Sequence, residues 1–327
     1  MKAVVIVPRD GQDRPTLDYR AVADPSPQPT ELLVAVRAAG INRIDLARST
    51  AHGAPAAGKP LIAGLEMAGE VIGVGSEVSG FNIGEKVMGM TTAAYAEMTT
   101  IDYRLAMRIP PSFSFDQAAA VSVVYPTAHD ALVTNGQFTA GKSILIQGAA
   151  SAVGVATLQM AKVLGAAKII GTGRPSPKAD KLIDLGLDRF LVKDADDTVA
   201  AVMCLTNGRG VDVVIDMVGG SALAANVDST CLGGRIVNVG WMGGKRGEID
   251  LDTLARKRLS LVGVSFRTRS LEQRAVLFSR FRHDIYPLFE SGTLRPLIHA
   301  TYPLSEASRA QDAMALDQHL GKIVLHP

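Results

Sequence analysis

The stretch QGAASAVGVATLQMAKVLG at 147–165 places small residues where a strand hands over to a helix. Gly148, Ala149, Ala150, Ser151, Ala152 and Gly154 leave room for a tight turn and for a phosphate to come close to the backbone. The unpaired N–H groups and the dipole at the start of that helix attract an anion. The spacing is not GxGxxG, so a turn kept small only for packing is the alternative. The end of the next strand, about 20 residues on, separates the dinucleotide classes, because an acid there binds a ribose 2′-hydroxyl. Here GTGRPSPKADK at 171–181 holds no acid before Asp180, and Arg174, Ser176 and Lys178 stand in its place. A guanidinium and an ammonium suit a 2′-phosphate. Lys193, after the third strand, either joins them or is a solvated loop charge. These residues predict NADPH rather than NADH.

Metal chemistry lacks ligands in this sequence. The histidines (52, 129, 283, 299, 319 and 326) show no ligand spacing, and Cys204 and Cys231 cannot build a four-cysteine zinc site. No GxSxG, HExxH or Walker-type sequence occurs, which leaves hydrolase and nucleotide-hydrolysing readings without a motif.

The elements that must position these residues change in texture near residue 140. Up to about 110 the runs are short and valine-rich (KAVVIVP, ELLVAVRAAG, EMAGEVIGVGSEV, EKVMGM), with Gly, Pro and Asn between them. That pattern predicts a mainly antiparallel or barrel-like β domain. Beyond 141, strands are expected at 143–147, 167–170, 190–192, 212–215, 235–239 and 259–264, and helices at 151–164, 179–185 and 195–205. Such alternation makes right-handed βαβ units on a parallel sheet. The tail predicts a helix over 271–290 and a closing strand GKIVL at 321–325. The fold class is therefore α/β, a doubly wound parallel sheet inserted into a β-rich domain.

With 327 residues, 47% hydrophobic and 20% charged, the chain has material for two cores and is neither disordered nor a disulfide scaffold. A net charge of +2 provides no field for nucleic acid or an acidic membrane. No segment reaches the ~18 apolar residues of a membrane span. The first residues, MKAVVIVPRDG, read as a strand and not as a signal-peptide core. Two cysteines fit a reducing cytoplasm.

Further segments carry a family likeness. AAGINRIDLARS (38–49) resembles an Asn-Arg-x-Asp-Leu segment found where zinc relatives carry a Cys-His pair. GLEMAGEVIGVG (64–75) resembles Gly-His-Glu-x-x-Gly, with Leu65 in place of the ligand histidine. FDQAAAVSVVYPTAHDAL (115–132), DMVGG (216–220), VGWMGG (239–244), SFRTRS (265–270) and GKIVL have counterparts in the same order. In these the chain resembles the zinc-free medium-chain dehydrogenase/reductases, in the NADPH:quinone oxidoreductase (zeta-crystallin-like) branch. The resemblance implies a GroES-like substrate domain over 1–122 plus 265–327 and a Rossmann-like cofactor domain over 123–264.

It also implies roles. Thr127, Gly240, Met242, Ser265, Phe266 and His319 match positions around the nicotinamide and ribose. Ser151, Ala152 and Val153 match the pyrophosphate turn, and Val218 and Gly219 an adenosine-side loop. Gly173, Arg174, Lys178 and Lys193 match the surroundings of the 2′-phosphate. For each, packing or turn geometry is the alternative.

A quinone becomes aromatic on accepting hydride, so such a pocket needs orientation and oxyanion stabilisation more than a metal. Asn42 is the candidate catalytic donor to the carbonyl oxygen, or else a turn cap. Relatives place a tyrosine at the substrate mouth. Here Ala47 and Gly53 stand in that stretch, with His52 as a possible polar substitute. Trp241 either walls the pocket by stacking on a planar acceptor or belongs to a core. The rival reaction, reduction of an enone or enoyl thioester, needs a proton delivered to carbon, for which Tyr95, Tyr125 and His52 are the candidates. A cofactor-binding protein of low turnover, with an RNA-binding or structural role, is the third reading. The family also implies a homodimer through the edge strand at 259–264.

Overall fold

The computed structural model describes residues 1–7, 16–46, 60–175 and 178–327. The described chain forms two compact units, Met1–Val124 with Arg269–Pro327, and Tyr125–Thr268.

The first unit begins with β1 (Lys2–Val7) antiparallel to β2 (Thr16–Ala21). β3 (Glu31–Gly40) alternates buried and half-exposed side chains, with Leu32, Val34, Val36 and Ala38 facing inward. That period-2 pattern makes it a strand with one face in the core. β4 (Glu66–Val74), β5 (Lys86–Met90) and β7 (Ala106–Arg108) extend the sheet from one side of β3. β6 (Met98–Asp102) pairs with the first half of β3. α1 (Phe115–Ala119) is fixed by a capping box between Ser114 and Gln117. α2 (Val124–His129) then carries the chain into the second unit.

There the strands and helices alternate as β8 (Ser143–Gln147), α3 (Ala152–Val163), β9 (Lys168–Gly173), α4 (Ala179–Asp184), β10 (Arg189–Val192) and α5 (Thr198–Leu205). They continue as β11 (Val211–Asp216), α6 (Leu223–Ser229), β12 (Thr230–Asn238), α7 (Leu251–Arg256) and β13 (Ser260–Gly263). All pairings are parallel, in the order β10-β9-β8-β11-β12-β13. This is the doubly wound arrangement, and the winding reverses between β8 and β11, where such sheets open a crevice at their carboxyl ends. Leu145, Ile170, Val214, Val227 and Ile236 form the core, each contributing about 1.5–3 kcal/mol by leaving water.

The chain returns through α8 (Leu271–Glu290), β14 (Ile298–Pro303), α9 (Ala307–Ala315) and β15 (Lys322–His326). α8 buries Leu277, Phe278, Phe281, Ile285 and Phe289, a helical stripe. β15 lies antiparallel to the end of β3, with Leu325 opposite Ala39. The sheet thereby brings Lys322 to the turn that follows Gly40.

Two differences from the sequence expectation have clear causes. α5 starts at Thr198 and not at 195, because the Asp197 carboxylate accepts from Ala200 N at 3.1 Å and caps the helix there. β2, β7, α1, α2, α6, α7, β14 and α9 are additional to the elements that the sequence predicts. β14 alternates half-exposed with exposed residues and so carries almost no hydrophobic signal.

Candidate nucleotide-binding site

The site is built first from a turn. Gly148 follows β8 with φ +79, and Ala149 N donates to Thr172 O of β9 at 2.9 Å. Ser151 then caps α3, its Oγ accepting from Gly154 N at 3.0 Å. A Cβ on Gly154 would lie 2.6 Å from Gly148 O and 2.7 Å from Ala149 O, so only glycine lets the helix start this close to the strand. A Cβ on Gly148 would lie 3.2 Å from Met242 Cε and 3.9 Å from Val218 Cγ2. Val218 and Met242 thus border the turn at Gly148, which leads into α3 and its first residues, Ala152 and Val153.

Beneath the turn runs a row of polar side chains that sequence reasoning missed. Thr172, Gln147, Asp216 and Asn238 are opposite one another across β9, β8, β11 and β12. Thr172 Oγ1 donates to Gln147 Oε1 at 2.6 Å, and Gln147 Nε2 donates to Asn226 Oδ1 at 2.7 Å. Asn226 Nδ2 donates to Asp216 Oδ2 at 3.0 Å. Asp216 Oδ1 accepts from the N–H groups of Val218 at 2.7 Å and Gly219 at 2.9 Å. Burial pushes the Asp216 carboxyl above its usual range, and these donors oppose that shift. The network holds the Val218–Gly219 loop to the strand ends. Its sequence signal is that three apolar strands each close on a polar residue, Gln147, Asp216 or Asn238.

At the end of β9, Gly173 passes close to the Phe190 ring, and its O accepts from Lys193 N at 2.7 Å. Arg174 and Lys178 come together here. Partial burial first, and then the Arg174 charge, hold the Lys178 ammonium below its ordinary pKa. Lys193 Nζ is exposed and lies 3.8 Å from Asp194 Oδ2. Ser176 lies outside the described residues.

Beyond the turn, a cleft of about 520 Å³ is lined by Asp216, Gly219, Asn238, Trp241, Lys245 and Arg267, among others. Gly240 N donates to Asp216 O at 3.2 Å, and Ser265 Oγ accepts from Arg267 N at 3.2 Å. Thr127 and Phe266 of the same unit are half-buried. Tyr125 is fully buried, its hydroxyl donating to Gln159 Oε1 at 2.8 Å, and burial pushes the phenol up.

Asn42 and His319 belong to the other unit. The expectation that the Asn42 amide donates to a substrate carbonyl is corrected by its partners. Nδ2 donates to Glu66 Oε1 at 2.9 Å and Gly40 O at 3.4 Å, and Oδ1 accepts from Lys322 Nζ at 2.7 Å. Lys322 also pairs with Glu66, whose Oε2 accepts from Val123 N at 2.7 Å. The amide is committed to a buried ion pair and organises it. Asp45 accepts from Asn42 N at 2.8 Å and from the Tyr95 hydroxyl at 2.7 Å. His319 is buried, with its ring centre 6.3 Å from that of His299. His52, Ala47 and Gly53 lie outside the described residues.

Residues 28–111 match the alcohol dehydrogenase GroES-like domain, and residues 152–280 match the family described as zinc-binding dehydrogenase. The quinone oxidoreductase of Rattus norvegicus is 30% identical over 312 residues, spanning 93% of this chain and 91% of its own. The chain belongs to the medium-chain dehydrogenase/reductase family. It is an oxidoreductase of the pyridine-nucleotide-dependent kind that this family comprises. Among solved structures of similar fold, the CurK enoyl reductase gives a TM-score of 0.86 at 25% identity, over 99% of this chain and 98% of that one. The mycobacterial protein Rv1454c complexed with NADPH gives a TM-score of 0.87 at 26% identity, over 100% of both chains. Among the described residues no group of three or more His, Cys, Asp or Glu side chains is placed to hold a metal ion.

One substitution separates binding from stability at the turn. Ser151→Asp keeps a good N-cap, and the helix dipole welcomes the charge. A phosphate approaching it meets about 1–4 kcal/mol of repulsion, so NADPH and NADH affinities should both fall by about tenfold or more. Nucleotide titration beside a thermal melt checks this, and unchanged affinity for either nucleotide would mean the turn is misplaced.

Proposed function

We propose that this protein is a zinc-independent, NADPH-preferring reductase of quinones and related α,β-unsaturated carbonyls. The observation that carries the cofactor choice is the pair of cations at the end of β9. Partial burial first, and then the Arg174 charge, make the Lys178 ammonium harder to keep, and a 2′-phosphate beside the two would offset both. The α3 amino terminus, capped by Ser151, supplies N–H groups for the pyrophosphate. The Val218–Gly219 loop, held by Asp216, and Met242 enclose the same turn. When bound, the nicotinamide supplies a hydride.

Of the three proton-donor candidates, Tyr95 and Tyr125 speak for a quinone over an enone, and His52 lies outside the described residues. A hydride on a quinone leaves an oxyanion that takes its proton from water, whereas reduction of a C=C bond needs a proton set down on carbon. The Tyr95 hydroxyl donates to Asp45 and the Tyr125 hydroxyl to Gln159, and burial raises both phenols, so neither is poised to give up its proton. Trp241 serves as an aromatic wall for the flat acceptor. Cytoplasmic residence, from the use of only two cysteines, and a dimer through β13, from the family resemblance, belong to this proposal.

The test is a fluorescence titration with NADPH and NADH, followed by addition of 1,4-benzoquinone while the reduced-nicotinamide absorbance is recorded. Tighter binding of NADPH and rapid bleaching are expected. Bleaching with an enone but not with the quinone would transfer the assignment to double-bond reduction. Failure to bind either nucleotide would overturn it.

A further inference from the structure

The cleft beyond the nucleotide turn carries positive charge that the turn does not use. Its wall joins an aromatic face, Trp241, to apolar Leu223 and Leu261 and to two cations, Lys245 and Arg267. The Arg267 guanidinium lies 5.3 Å from the centre of the Trp241 ring, which remains 42% exposed. Neither Lys245 nor Arg267 has a carboxylate partner among the described residues. Asp216, the acid in the wall, is 1% exposed and already accepts from Val218 N, Gly219 N and Asn226 Nδ2. Its charge is spent inside the sheet, so the charge presented to an occupant is that of the two cations.

An indole with a guanidinium 5.3 Å from its ring centre offers a flat ring both a π surface and a positive one. A second cation on the same wall rewards a negative substituent on that ring. We infer that this cleft is a subsite for a planar aromatic anion, and that the enzyme prefers quinones bearing a sulfonate or carboxylate over neutral ones. This rests on the quinone-reductase reading above. The chemistry is the same for either acceptor: one hydride from the nucleotide and one proton from water convert the quinone to its hydroquinone.

Trp241 is the chain's single tryptophan, so its emission reports this cleft directly. Purified protein without nucleotide is titrated with 1,4-naphthoquinone-2-sulfonate and, separately, with 1,4-naphthoquinone. Saturable quenching should be tighter for the sulfonate by about tenfold, the value of one charge-assisted contact in a partly open cleft. It should weaken with added salt. Lys245→Ala combined with Arg267→Ala should bring the two quinones to equal affinity, and NADPH binding should be unaltered. In turnover, the same double variant should lose the preference in kcat/KM.

Equal affinity of the wild type for both quinones would overturn the inference. So would a loss of NADPH affinity in the double variant, because the cations would then serve the nucleotide. Tight sulfonate binding without turnover of either quinone would overturn the proposed function and leave the subsite standing.

Discussion

Replacing Arg174 and Lys178 together by alanine is expected to raise the NADPH dissociation constant roughly 100-fold while leaving that for NADH within about threefold. A charge-assisted hydrogen bond is worth about 1.5–3 kcal/mol, so two of them could cost up to about ten-thousandfold. Arg174 is exposed and Lys178 only partly buried, and solvent screening brings the expectation down to the lower figure. The sign of the Lys178 shift sharpens the case. Partial burial and then the Arg174 charge lower its pKa now, and a phosphate dianion beside the pair should raise it again. Affinity for NADPH should therefore decline with salt more steeply than affinity for NADH. Equal losses for the two nucleotides would show that the pair holds the pyrophosphate or the local fold, and would remove the 2′-phosphate from the argument.

This cationic pair was readable in the sequence because it depends on residue types at the end of one strand. The turn at 147–154 was readable for the same reason, since small residues stand together between an apolar strand and a helical run. The polar row Thr172–Gln147–Asp216–Asn238 was harder to see. Its members are 22 to 91 positions apart, and only the parallel register places them opposite one another. Asn42 shows the limit most clearly. Its type suits an oxyanion donor, but β15 returns from the far end of the chain to set Lys322 against it. The cleft around Trp241 has a similar origin. Its wall gathers the ends of β11 and β12, the 241–247 loop and β13, and no local pattern announces that assembly.

The largest effect on stability is expected at that returning strand. Lys322→Met keeps the length and much of the volume of a side chain that is 1% exposed, and removes its charge. An isosteric exchange costs less than about 1.5 kcal/mol in packing. Leaving Glu66, itself 0% exposed, without its ammonium should cost about 3–5 kcal/mol. The stranded carboxylate should outweigh the packing change, because the remaining donors to Glu66, Asn42 Nδ2 and Val123 N, are neutral. Reorientation is also restricted, since a Cβ on neighbouring Gly40 would already lie 2.7 Å from both Glu66 Oε1 and Lys322 Cε. Urea unfolding at neutral pH should show the loss, which is a large part of a typical total of about 5–15 kcal/mol. The decisive comparison is the double variant Glu66→Gln with Lys322→Met. It buries no charge and should recover most of the stability, because the glutamine Oε1 still accepts from Val123 N while its Nε2 donates to the Asn42 Oδ1 that Lys322 no longer occupies, once that amide turns over. If the single variant loses less than about 1.5 kcal/mol, the ion pair contributes no more than its packing. If the double variant is as unstable as the single one, the cost lies in the lost Lys322–Asn42 contact and not in an unpaired carboxylate.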